Sequence, residues 1–173
     1  REVLLKQMDP ELRREFHAMV AQHLLRGYGE RADYAARIGW HFYKGHRFSE
    51  AIPFLVRAAG EARRLFLNDL ALDHLDKALD AFGRQPHPSV SRGGLLTGQS
   101  EVLRLLGRPE AARRAAQAAV EEEGRGVDAA ALAAAQESLG EAALAQVDLP
   151  AAEAALGEAF RYSSAVADAP RLA

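Results

Sequence analysis

Six histidines, a few serines and a short acidic run are the residues of this chain with chemistry to offer. A metal site on one helix needs imidazoles at i and i+4, so that both rings leave the same face. His17 and His23 sit six apart on one helix and His41 and His46 flank a helix end, so neither pair has that spacing. Surface or packing positions are expected for them, and no metal. Ser89, Ser163 and Ser164 have no recognisable base or oxyanion-hole partner, which leaves nucleophilic catalysis without support. Glu121, Glu122 and Glu123 are adjacent on a predicted helix and point in different directions, as a solvated helix end does. Gly93-Gly94 lacks the lysine that would follow in a phosphate loop, and the pattern G-x-x-x-x-G-K-S/T occurs nowhere. With no cysteine, neither a disulfide nor a thiolate metal site is available. No catalytic residue and no cofactor is expected, and the chain reads as something other than an enzyme.

Composition narrows the partners. The 173 residues are 49% hydrophobic and 27% charged, which is globular, and the net charge is −2. Arginines are interleaved with acids, as in Arg13-Arg14-Glu15 and Glu61-Ala62-Arg63-Arg64, so no concentrated phosphate-binding field is expected and no direct nucleic-acid contact. No stretch approaches the length needed to cross a bilayer. The chain starts at Arg1 without a signal-peptide pattern, so it reads as an excerpt of a longer, cytoplasmic protein.

The elements that would position any site read as about eight helices. A short fragment at residues 1–8 precedes Asp9-Pro10, where Asp9 can cap and Pro10 can occupy the first helical position. Leu12, Phe16, Val20 and Leu24 form the expected buried stripe of that helix, which Gly27 and Gly29 end. Further helices are predicted over residues 31–44, 48–66, 68–82, 89–106, 109–123, 127–146 and 149–166. Two prolines within residues 84–88 mark a hinge. The organisation expected is entry helices at 1–30, first repeats at 31–83, the hinge, two degenerate repeats at 89–166 and a loose tail at 167–173.

The segment from Arg37 to Leu55 carries the repeat pattern. Ile38, Gly39 and Phe42 are followed twelve residues after Gly39 by Ala51, with Phe48 ahead of it and Leu55 and Ala58 continuing the seam. Ala71, Leu75 and Ala78 match a second helix, Gly107 to Ala112 another turn and helix, and Leu139-Gly140 with Ala152 restore the full pattern. At Gln99-Ser100 the large and small pair is missing, which leaves the register open there. These positions resemble a tetratricopeptide repeat, a 34-residue helical hairpin. The resemblance implies an all-α, right-handed superhelical solenoid of about eight antiparallel helices acting as a binding scaffold. Carried over from Gly39 and Ala51, its inward-facing positions are Asp33, Ala36, Trp40, Tyr43 and Lys44, followed in later repeats by Glu101, Arg104, Glu137 and Glu141. Trp40 and Tyr43 are the expected aromatic anchors for a protein or peptide partner. The alternative is that both pack on the preceding helix through Leu24, Leu25 or Tyr28.

The first half is similar to a narrower group. Met8 to His17 looks like the helix that leaves a winged-helix module in bacterial signal-transducing ATPases, including large LuxR-type transcriptional regulators, and Ala35 to Phe42 and Ala58 to Ala71 are similar to segments that follow it there. That resemblance implies a sensor or protein-interaction module receiving an inducer, an inhibitory partner or other domains of the parent chain. A constitutive scaffold that binds a protein or forms a homodimer is the alternative.

Overall fold

The computed structural model describes residues 9–29, 31–126 and 128–168. All regular elements among them are helical. In chain order they are α1 (Pro10–Tyr28), a 3-10 turn (Ala32–Tyr34), α2 (Ala35–Lys44), α3 (Phe48–Arg64), α4 (Asn68–Arg84), α5 (Arg92–Leu105), α6 (Pro109–Glu123), α7 (Ala129–Leu144) and α8 (Leu149–Asp168). The expected fragment at 1–8 and most of the expected tail lie outside the described residues, and α8 runs on through Asp168. None of the described helices is long and apolar enough to cross a membrane.

Start signals act where the side chains allow. Asp9 accepts the N–H groups of Glu11 and Leu12, Asp128 accepts those of Ala130 and Ala131, and proline opens both α1 and α6. Several expected boundaries move, and the helices predicted over 48–66 and 127–146 shorten to Phe48–Arg64 and Ala129–Leu144. The helix predicted from residue 31 begins at Ala35, because Ala32–Tyr34 winds as a tighter 3-10 turn. The helix predicted from residue 89 begins at Arg92, since Ser91 is the residue whose hydroxyl accepts the Gly94 N–H. At the other end of the loop, α4 continues through Arg84, so the expected hinge loses its first residue to the helix.

The chain divides into two compact units, Arg1–Val90 and Ser91–Ala173. In the first, α1 packs on α2, α2 on α3 and α3 on α4. In the second, α5 pairs with α6, α6 with α7 and α7 with α8, and α5 also touches α7.

One turn recurs in both units. His46, Phe66, Gly107 and Val147 take positive φ of 57°, 58°, 68° and 60°. After each, the next N–H reaches back across the turn: Arg47 to the Phe42 carbonyl, Leu67 to Ala62, Arg108 to Leu103 and Asp148 to Ala143, at 2.9–3.0 Å. Seven residues before the left-handed position and five after it stand small residues: Gly39 and Ala51, Ala59 and Ala71, Ser100 and Ala112, Gly140 and Ala152. All eight are buried. They let the helix axes approach. A Cβ on Gly39 would stand 3.1 Å from the Leu55 backbone nitrogen. Ser100, whose register was open in the sequence, therefore fills the small-residue role, and the Ser138 hydroxyl donates to its oxygen at 3.0 Å. The pair satisfies itself inside the helix interface.

Left-handed backbone costs a residue with a Cβ about 1–2 kcal/mol, and a β-branched side chain is the least suited to it. Val147 is 78% exposed, so its side chain gains little packing in return. Val147→Gly should stabilise the second unit by about 0.5–1 kcal/mol, the strain relieved less the entropy lost by glycine. Thermal denaturation of the two proteins checks this, and an unchanged or lower Tm would show that the turn is unstrained.

The stripe expected on α1 is corrected. Leu12 and Phe16 are exposed, whereas His17, Ala21 and Leu24 are buried. The contact with α2 sets this face, since a Cβ on Gly45 would lie 2.8 Å from the Ala18 backbone nitrogen. That close approach turns His17 inward.

Candidate functional site

Trp40 leaves α2 on the side away from Phe42 and remains 39% exposed. Beside it is a hollow of about 430 Å³ lined by Ala36, Arg37, Trp40, His41 and His74. The geometry follows from helix periodicity: Ala36 and Trp40 lie four apart on α2, Arg37 and His41 likewise on the adjoining row, and α4 supplies His74. His74 is buried, and its Nδ1 has no hydrogen-bond partner. Burial holds this imidazole below its usual pKa, with Lys77 adding to the effect and Asp73 opposing it.

The indole is wedged among polar rings. His17 from α1 stands edge-on to it at 5.0 Å between centroids, His41 edge-on at 4.8 Å, and the Lys44 ammonium lies 6.0 Å from the ring centre. His17 Nδ1 and His41 Nδ1 are 3.0 Å apart. Burial first, then His17 and Arg37, press His41 down to a pKa of about 4. His17 is lowered as well, by burial and then by Lys44 and Arg13. Both imidazoles are neutral at pH 7.

The remaining expected positions go to other partners. Tyr43 donates its hydroxyl to Asp80 Oδ2 at 2.7 Å, and its ring meets Phe48 edge-on. That bond raises the Tyr43 pKa, burial adding to it, and together with the Arg84 bond it lowers that of Asp80. Asp33 lies in the 3-10 turn, held by two bonds from Arg31 at 3.0 and 2.8 Å. In the second unit Arg104 of α5 pairs with Glu141 of α7 at 2.8 Å, with Glu101 one turn earlier on α5 and Glu137 exposed on α7. The hollow thus unites Ala36 and Trp40, and neither Tyr43 nor Asp33 is among its lining residues.

Arg37, His41, His74 and His17 were not among the expected binding positions. Two of them lie one residue along α2 from expected positions, and a wider view of that face would have found them. The His17–His41 contact spans 24 residues and depends on the register of α1, which the apolar residues of α1 misstate. Tyr28 stacks on Tyr34 at 4.2 Å, so the ring that α1 brings to Trp40 is His17. Among the described residues no group of three or more His, Asp or Glu side chains is placed to hold a metal ion.

The hollow and its helical hairpins define a class, an all-helical protein with a small concave surface between consecutive hairpins. No family model matches the chain, and no curated protein does. Among solved structures it is similar to the crystal structure of BtubC (BKLC) from P. vanneervenii, with a TM-score of 0.69 and 18% identity over 96% of this chain and 70% of that one. At this identity the likeness is one of fold.

Proposed function

We propose that this chain is a non-catalytic interaction module of tetratricopeptide type, which takes a segment of a partner protein at the hollow beside Trp40. The carrying observation is the half-exposed indole, fixed between His17, His41 and Lys44 at the edge of a concave surface. A large ring held in one orientation offers contact area with little entropy left to lose. The spacing of small residues around the four left-handed turns supports the repeat type. Following the resemblance of the first half, the module belongs to a bacterial regulatory ATPase or transcriptional regulator and acts there as a sensor. Such coupling requires the bound segment to prefer one state of the parent protein.

Peptides selected from a phage-displayed library against the full chain test the site. Trp40→Ala should lose about 10- to 100-fold in affinity for them while its circular dichroism is kept, and Trp40→Phe should lose less. Selected peptides that bind Trp40→Ala within threefold of the parent would place recognition elsewhere.

A constitutive scaffold that self-associates is the second reading. It is favoured by the α3–α4 turn, where Leu65, Phe66 and Leu67 are all exposed, Phe66 at 86%. Light scattering over a concentration series distinguishes the two readings: a dimer abolished by Phe66→Ser supports the scaffold, a monomer throughout excludes it.

A further inference from the structure

The two histidines that meet between α1 and α2 impose a condition that a peptide groove does not need. At 3.0 Å, one Nδ1 must carry the proton and the other must present its lone pair. Two doubly protonated rings would direct two N–H groups at each other, so the contact requires one neutral imidazole. The charged groups that bear on the pair are Arg13 from α1 and Arg37 and Lys44 from α2, all cations. The facing helix α4 contributes His74, also buried, and Asp73, which is ion-paired with Lys77. At the far end of α1, Arg57 of α3 donates to the Gly29 carbonyl at 2.6 Å, a contact in which neither histidine takes part.

We propose that His17 and His41 form a proton-operated latch: in mild acid α1 releases from α2 beside Trp40, while Arg57 keeps hold of its C-terminal end. This goes beyond the partner-binding reading and does not depend on it. The sign follows from linkage. Both rings have lowered pKa values when closed, so the released form binds more protons. The closed form is favoured above about pH 6.5, where a free imidazole is neutral, and is lost as the pH falls toward the closed-state values. Each proton taken up on release shifts the open-to-closed ratio about tenfold per pH unit in that window, and two protons about a hundredfold. Release also removes His17 from the edge of Trp40, the single tryptophan of the chain.

Amide hydrogen exchange on the full chain between pH 8 and 4.5, corrected for intrinsic rates, follows residues 10–28 against α3. The expected result is loss of α1 protection by at least tenfold between pH 6.5 and 5.5, with α3 unchanged and Trp40 emission changing in parallel. His17→Gln/His41→Gln should make α1 exchange independent of pH, whether α1 is then docked or released, and His74→Gln should keep the transition. Imidazole NMR of the parent protein supplies the second measurement, with His41 titrating below pH 5.5. An α1 transition that persists in the double variant, or His17 and His41 both titrating near 6.5 with α1 still protected, would overturn the latch.

Discussion

Phe42→Ala should cost the first unit about 3–5 kcal/mol, the range for emptying a fully buried phenylalanine site. Phe42 has no exposed surface, its ring packs on Phe54 at 6.0 Å, and its carbonyl accepts the Arg47 N–H that closes the first left-handed turn. Side-chain removal therefore leaves a cavity beside a turn that cannot shift without losing its own bond. Urea denaturation followed through Trp40, which neighbours this core and lies in the same unit, reads the loss directly. A cost below about 1.5 kcal/mol would mean that the helices can close over the cavity and that the hairpin is packed more loosely than its burial suggests. Trp40→Ala, two residues away on the same helix, should affect stability far less because much of its ring already faces water.

Gly93→Ala should destabilise the second unit by about 1–3 kcal/mol, as overpacking of a filled site does. Propensity alone would predict the opposite, since alanine is favoured over glycine inside a helix by about 1 kcal/mol. Glu123, at the end of α6, lies buried against the start of α5. The Ser91 hydroxyl donates to its Oε1 at 2.6 Å, and the carboxylate occupies the positive end of the α5 dipole. A Cβ on Gly93 would come within 2.6 Å of the Glu123 Cδ, and a buried side chain has little room to retreat. The acidic run thus contains a structural carboxylate, whereas three adjacent glutamates on a helix predict a solvated end. Thermal denaturation of Gly93→Ala, Glu123→Ala and the double variant forms the check. The double variant should be more stable than the summed single losses, because removing the carboxylate makes the space the new methyl needs. Additive losses, or a stabilised Gly93→Ala, would show that Glu123 does not fill that space.

What could be read beforehand was governed by locality. Asp9-Pro10 and Arg108-Pro109 announce helix starts through a proline that needs no N–H and, at Asp9, a carboxylate that caps, and both helices begin there. Gly39 and Ala51 are legible because close helix crossing admits few residue types. Ser100 was harder, since serine is small enough for the same role only if its hydroxyl finds a partner, and Ser138 lies 38 residues away. The face of α1 failed for a different reason. Leu12 and Phe16 are apolar by type, but backbone contact at Gly45 and Ala18 fixes the rotation of the helix, and residue type does not encode that contact. Once the rotation is known, the histidine pair and the indole edge follow.

The left-handed turns also set a ruler along the chain. Phe66 stands twenty residues after His46 and Val147 forty after Gly107, so one helix with its connection takes twenty residues. The position twenty beyond Phe66 is Pro86, whose ring fixes φ near −65° and forbids the next turn of the series. Each crossing takes its phase from its own turn: Gly107 stands forty-one residues after Phe66, and the seven-and-five spacing of small residues resumes intact beyond the prolines. One proline set on a step of a regular series is thus enough to interrupt it, and the chain divides into its two units a few residues later.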